Sequence, residues 1–397
     1  MKKTSKIALA SVLIIALAFS LSSCIFLPDG PDPEPGEWEP THVAAAPGIK
    51  NVILIIGDGM GDAQLDAGEL VYEKEFAFRD EFKYFHSNTN SLNSLGLALE
   101  VTDSAASATA LATGTLTENK HVGMTPDGEH LVTVLDIAAG LGKATGVVTN
   151  DSLTGATPAG FTAHVSNRNL SHDIVRSQAT SEVDLLIGQY DSIYEEHLSD
   201  IEANYRYFGS YDKDAILSAT EAQLLCQFDI EGESDSSIAL KDAAELAIER
   251  LSADEDGFVL VIEQARIDKR CHDKDFAGAS FYANSLNDTV EAVRNFAKDR
   301  NDTAIIITAD HETGGLSVSS DAEEYSKTFT TVNGNLISYK FKGSSHTDTF
   351  VPVYVEGFEL YPEALTALEA DDLIKNSDVY YIIRDLSHYY NYKTEDN

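Results

Sequence analysis

Short apolar runs recur along this chain and alternate with stretches of helical periodicity. Residues 52–56 (VILII), 144–149, 183–187, 258–262, 304–308 (AIIIT) and 351–355 read as strands. Between and around them, residues 104–113, 132–139, 238–251, 284–300 and 378–389 carry helical patterns. Runs this short and apolar suit strands covered on both faces, as in parallel sheets. The alternation therefore predicts an α/β fold: a mostly parallel central sheet with helices on both faces. Residues 190–235 are less regular and read as an insertion or cap. No internal repeat is visible.

Composition narrows the field of functions. The chain has 397 residues, 43% of them hydrophobic, and 65 acidic against 28 basic side chains, for a formal charge of −37. A chain of that length buries about three quarters of its unfolded surface and needs no staples. The charge argues against nucleic acid as a partner, since nothing offsets a phosphate backbone. Residues 1–23 read as an export signal: Lys2, Lys3 and Lys6 precede an apolar stretch from Ile7 to Leu21. The segment ending in Leu21-Ser22-Ser23-Cys24 resembles a bacterial lipobox, which implies cleavage before Cys24 and acylation of its sulfur. Residues 24–50 hold six of the ten prolines and the single tryptophan, Trp38. They form an extended tether between a lipid anchor and a domain spanning 51–397. The expected location is exported, on the periplasmic or extracellular side of a bacterial membrane. Cys226 and Cys271 do not by themselves establish a disulfide.

Polar residues gather where strands end. Asp58 follows the first run, Glu263 and Asp268 follow the run at 258–262, and Asp310-His311 follows the run at 304–308. Ligands of open α/β sheets bind beyond the carboxyl ends of strands, so these loops converge on one edge. In the segment 101–114 (VTDSAASATALATG), Ser104 opens a helix. A serine there is commonly an N-cap; the other reading is a nucleophile at the positive end of the helix. No Gly-x-Ser-x-Gly elbow is present, so acyl chemistry lacks its usual frame. Asp268 and His272 are spaced to share a helical face, His311 adjoins Asp310, and His346 lies in Ser-Ser-His-Thr-Asp. One such histidine alone is ordinarily a surface residue; the set suits Zn²⁺, while carboxylates with a hydroxyl suit Mg²⁺.

Six segments together resemble the alkaline phosphatase family: 51–61 (NVILIIGDGMG), 101–114, 156–168 (ATPAGFTAHVSNR), 261–273 (VIEQARIDKRCHD), 308–314 (TADHETG) and 345–347 (SHT). They follow the family's order and span nearly the whole mature chain. The resemblance implies that family's three-layer α/β sandwich and the hydrolysis of small phosphomonoesters through a phosphoserine at Ser104. Arg168 would grip two phosphate oxygens, with Asp103 orienting it. Two Zn²⁺ and one Mg²⁺ are implied. One zinc would take Asp268, His272 and His346; the other would take Asp58, Asp310, His311 and Ser104. Magnesium would take Asp58, Thr157 and Glu263. A homodimer is left open.

One departure stands out. Many relatives carry Asp or His two positions before the magnesium-site threonine, where this chain has Gly155. That puts the strength and identity of the third metal in question. Lys269, which in some relatives pairs with the missing carboxylate, is expected to reach the phosphate through water. The competing readings are a phosphodiesterase of the same superfamily and a non-catalytic phosphate-binding lipoprotein. Sulfatase chemistry lacks its Cys/Ser-x-Pro-x-Arg segment.

Overall fold

The computed structural model describes residues 49–94, 96, 98–357 and 373–394, the last seven by backbone alone. The export signal, Cys24 and nearly all of the tether lie outside the described residues. Ten strands form the central sheet: β1 (Asn51–Gly57), β2 (Lys83–Asn88), β3 (Ala144–Ser152), β4 (Leu185–Gln189), β5 (Tyr205–Phe208), β6 (Gln223–Phe228), β7 (Phe258–Gln264), β8 (Thr303–Thr308), β9 (Val351–Glu356) and β10 (Leu373–Lys375). Their order is β10-β2-β9-β8-β1-β7-β3-β4-β6-β5. From β8 to β5 every neighbouring pair is parallel. β9 runs antiparallel to β8 and to β2, and β10 is parallel to β2. The predicted mostly parallel sheet is therefore present, with β9 reversed within it.

The helices that cover the sheet or carry the site are α1 (Asp62–Tyr72), α2 (Ser104–Thr113), α3 (Val134–Gly140), α4 (Ala156–Thr162), α5 (Ser171–Gln178), α6 (Leu240–Leu251), α7 (Arg266–His272), α8 (Phe276–Ala297) and α9 (Asn376–Thr394). β1 shows why two layers form. Its residues are all buried, and alternate side chains point to opposite faces. Ile53 and Ile55 join a cluster with Leu246 of α6 and Leu286 of α8. Val52, Leu54 and Ile56 join a second cluster with Leu111 of α2, Leu135 of α3 and Ile383 of α9. Truncating such a side chain to alanine costs about 2–5 kcal/mol, so β1 anchors both layers at once.

Two boundaries differ from the sequence reading for local reasons. α8 starts at Phe276 because Asp275 caps it, its carboxylate accepting from the Gly278 amide at 3.0 Å. The small residues Ala279 and Ala283 in its first turns are fully buried. The 190–235 stretch contributes β5 and β6, which extend the sheet at its edge. Beyond the main sheet, Leu316–Ser319, Lys327–Thr330 and Leu336–Phe341 make a three-stranded antiparallel sheet. Its Leu316 and Ile337 pack with Ala67 and Val71 of α1 and Phe276 of α8.

Candidate active site

The carboxyl ends of β1, β7 and β8 converge as expected, and backbone contacts fix how closely. Asp58 leaves β1 with its amide donating to Gln264 O at 3.1 Å, and the Asp268 amide donates back to Asp58 O at 2.9 Å. Gly59 makes that approach feasible: its φ is +74°, and a Cβ there would fall 2.7 Å from Asp268 Cα. Asp310 follows β8. Its Oδ1 accepts from the amides of Gly59 at 3.1 Å and His311 at 2.9 Å. A two-residue ladder pairs Glu312–Thr313 with His346–Thr347 and so brings His346 in from a distant loop. Glu312, buried, holds that ladder by accepting from Gln64 Nε2 at 2.7 Å and from the Thr347 hydroxyl at 2.5 Å.

Ser104 is the first residue of α2 rather than its cap. Asp103 is the cap, with Oδ1 accepting from the Ala106 amide at 3.0 Å. The N-cap reading of Ser104 thus falls away, and its hydroxyl is left facing His311, with Oγ 3.1 Å from Nε2. The other carboxylate oxygen of Asp103 meets Arg168 Nη1 at 3.4 Å, so one side chain caps the helix and orients the guanidinium. Ser107 stitches α2 to the β8 loop by donating to Asp310 O at 2.7 Å, and it accepts from Asn376 Nδ2 of α9 at 3.0 Å.

The three histidines turn their Nε2 atoms inward. Nδ1 of His272 donates to Ser344 O at 2.6 Å, and Nδ1 of His346 donates to Thr102 O at 2.9 Å. A carbonyl only accepts, so Nδ1 of both rings carries a proton; Nε2 of His346 is bare when that ring is neutral, whereas Nε2 of His272 takes a second proton toward Asp268. The Thr313 hydroxyl donates to Asp268 Oδ1 at 2.5 Å, leaving it to accept from His311 Nδ1 at 3.3 Å. Nε2 of His272 lies 3.2 Å from Nε2 of His346 and 3.2 Å from Asp268 Oδ2. His346 Nε2 is 3.7 Å from Asp268 Oδ1, and His311 Nε2 is 3.1 Å from Asp310 Oδ2 and 3.7 Å from Asp58 Oδ1. Ligand atoms of Asp58, Asp310 and His311 lie within 4.8 Å of one another, as do those of Asp268, His311 and His346.

Acceptors facing acceptors at such distances call for a cation. Asp58 Oδ1, Asp310 Oδ2 and Thr157 Oγ1 are buried and have no hydrogen-bond partner among the described residues. Burial, and then the charges of Asp310 and Asp268, push Asp58 well above the carboxylate range. Burial and Asp268 push Asp310 up to about 7; burial and Asp151 push Glu263 up to about 7. Asp268 behaves oppositely: despite burial, its hydrogen bond from His272 and the charge of His311 pull it down to about 2. His272 in turn is raised to about 9 by its hydrogen bond to Asp268. Burial and His346 hold His311 well below the imidazole range. Crowded carboxylates with depleted counter-charge are what a bound divalent ion relieves, and the donor set of imidazole, carboxylate and hydroxyl fits zinc and magnesium.

The structure thus gathers Asp58, Ser104, Asp268, His272, Asp310, His311 and His346 around one centre, with Glu263 and Thr157 beside it and Arg168 held by Asp103. Sequence reasoning missed Thr313, Glu312, Ser107 and Asn376, whose roles are hydrogen bonds to distant segments. It also missed Asp151, whose Oδ1 lies 2.5 Å from Lys269 Nζ. Its partner lies more than a hundred positions away, so no local signal marked it.

Fold and site together define a metal-assisted α/β enzyme. A family model described as alkaline phosphatase matches residues 49–204 and 221–365. Alkaline phosphatase 3 of Bacillus subtilis (strain 168) is 31% identical over 340 residues, covering 81% of this chain and 72% of that protein. Escherichia coli (strain K12) alkaline phosphatase is 28% identical over 351 residues, covering 69% and 72%. The structure of alkaline phosphatase from the Antarctic bacterium TAB5 superposes with a TM-score of 0.73 at 27% identity, covering 86% of this chain and 99% of that one. The chain belongs to the alkaline phosphatase family. The activity that goes with that membership is hydrolysis of phosphate monoesters.

Proposed function

We propose that the chain cleaves phosphate monoesters in two displacements on Ser104. The Ser104 oxygen attacks phosphorus, the ester oxygen leaves as alcohol, and phosphoserine forms; water then displaces Ser104 and releases inorganic phosphate. The observation that carries this reading is the placement of Ser104 Oγ, 3.1 Å from His311 Nε2, at the first position of a buried helix. The free amides and dipole of that helix end favour the anion that Ser104 would receive. Arg168, held from behind by Asp103, offers a planar fork to two phosphate oxygens. Lys269, half exposed and paired with Asp151, reaches the phosphate through water.

Asp268, His272 and His346 would hold one zinc; Asp58, Asp310, His311 and Ser104 a second; and Asp58, Thr157 and Glu263 a magnesium. When bound, these ions supply charge that lowers the serine pKa and stabilises the attacking and leaving oxygens. A TAB5 alkaline phosphatase variant with 25% identity and a TM-score of 0.72 was solved with Mg bound in its M3 site, which supports a third cation here. The test is turnover of p-nitrophenyl phosphate and of its bis-ester at alkaline pH, with acid-quenched mass spectrometry of the Ser104 peptide. Monoester turnover with phosphate on Ser104 is expected. Preference for the diester would indicate a phosphodiesterase, and phosphate binding without turnover a receptor.

We further propose that residues 1–23 direct export, that Cys24 is acylated, and that residues 24–50 tether a catalytic domain of residues 51–397 to a membrane. Among the described residues no helix is long and apolar enough to cross one. Mass spectrometry of the membrane-extracted protein checks this; an unacylated amino terminus refutes it.

A further inference from the structure

We infer that Asp151 supplies from β3 the carboxylate that position 155 lacks, and so positions the third cation and Lys269. The inference rests on the third-cation reading above and adds to it a residue that no motif of the sequence marked.

The geometry begins with a break in register. β3 pairs with β4 in regular parallel fashion through Val148↔Ile187, then slips before Ser152↔Gln189. Such irregularities re-aim side chains near active sites. On its other side β3 stays in register with β7 up to Thr149↔Glu263. The Thr149 hydroxyl donates to Glu263 Oε2 and accepts from the Asp151 amide at 3.0 Å. Asp151 is therefore one hydroxyl removed from Glu263 through its own backbone. Asn150 locks the same corner: its Oδ1 accepts from the Ala265 amide at 2.8 Å, and its Nδ2 donates to Glu231 Oε2 at 2.6 Å.

The space beside Gly155 completes the case. A Cβ built on Gly155 would lie 3.2 Å from Asp151 Oδ2 and 2.9 Å from Ser152 O. The Asp151 carboxylate thus fills the volume into which a side chain at 155 would project. Its other oxygen, Oδ1, meets Lys269 Nζ at 2.5 Å, and Lys269 directly follows Asp268. The pair spans the gap between β3, which leads into Thr157, and α7, which carries Asp268 and His272. The buried Thr157 Oγ1, without a partner among the described residues, lies on the short helix that Gly155 precedes. An ion held by Asp58, Glu263 and Thr157 would meet the Asp151 charge through its coordinated waters, as metal sites commonly use outer carboxylates. An ordinary surface ion pair would have no such consequence.

The experiment measures Mg²⁺ binding to the zinc-loaded protein by equilibrium dialysis, without reference to turnover. Wild type and Glu263→Gln come first: if wild type binds no Mg²⁺ that Glu263→Gln abolishes, the third-cation reading itself fails. Given that binding, Asp151→Asn is expected to weaken it by about 10- to 100-fold, the usual cost of losing an outer partner. Asp151→Ala, which also empties that space, is expected to weaken binding likewise; combining it with Gly155→Asp returns a carboxylate to the space from four positions along the chain and should recover most of the affinity. A merely structural Asp151 would not be rescued this way. Unchanged affinity in Asp151→Asn, or weakened affinity in Asp151→Ala that Gly155→Asp fails to recover, overturns the inference.

Discussion

The two edges of the central sheet bury polar groups in opposite ways. At the amino edge every buried group named here has a partner. The Lys143 ammonium, 2% exposed, donates to Lys50 O and Asp256 O, both at 2.8 Å. Asn51 Nδ2 donates to Thr303 Oγ1 at 3.0 Å, and the buried Thr145 donates its amide to Oδ2 of the half-buried Asp184 at 2.8 Å. At the carboxyl edge, Asp58, Asp310 and Thr157 keep buried atoms without partners among the described residues. The same strands end in both, so the contrast is one of purpose. Satisfied polar burial closes an architecture, whereas unsatisfied burial of one sign reserves a place for a ligand.

The comparison can be broken most decisively at the nucleophile. Ser104→Ala should lower phosphomonoester turnover by on the order of 10⁴- to 10⁶-fold, as loss of a nucleophile does elsewhere. Its thermal melting should stay near wild type, because Ser104 caps nothing. A matching loss of stability would mean that the serine serves the helix instead. Arg168→Ala should cost about 10²- to 10³-fold in kcat/KM, by analogy with removing one donor to a reacting oxygen. Arg168→Lys should rescue little of it, since an ammonium cannot replace the fork.

Stability without metal sharpens the contrast further. In chelator-stripped protein, Glu263 and Asp310 keep their protons up to about 7, against 4.5 and 3.8 for unperturbed carboxyls. The folded state then binds more protons than the unfolded one in that window, so stability falls as pH rises towards 7. Asp58→Asn removes an acid whose ionisation burial and its neighbours oppose in the folded state, and should stabilise the stripped protein at neutral pH by about 1–3 kcal/mol, while abolishing turnover. At the amino edge the slope reverses. Burial lowers Lys143 from 10.5 to about 8, so the unfolded chain holds the extra proton and stability rises across that interval. Lys143→Met should flatten the rise and leave turnover unchanged. Chemical denaturation at a series of pH values reads both slopes. The smallest effect expected is electrostatic: with a formal charge of −37, kcat/KM should rise by less than about tenfold from low to moderate salt as surface repulsion is screened.

Legibility in the sequence followed burial. β1, β7 and β8 are buried throughout and carry apolar runs because both faces are covered, and an uninterrupted run such as VILII announces itself. β2, with the sequence KYFHSN and a half-exposed pattern, and the short β5 at the far edge do not. The same divide holds at the site. Asp58, Ser104, Asp268, His272, Asp310 and His311 sit at strand or helix ends where local sequence shows them. Asp151 depends on a register slip, and Asn376 on a hydrogen bond to Ser107 across 269 positions. Neither leaves a local trace, because the partner that gives each residue its meaning is remote.

The contact between Ser107 and Asn376 has a consequence for synthesis. Chains emerge and fold from the amino end, domain by domain. Here the helix that starts at Ser104 is braced by α9, and the ladder that carries His346 also forms late. A ribosome-bound chain that stops short of residue 376 therefore holds Ser104 without its brace, and one that stops short of 346 lacks an imidazole as well. Such a nascent or truncated copy holds the strand ends of the centre but neither its brace nor, if shorter still, the ladder that brings in His346.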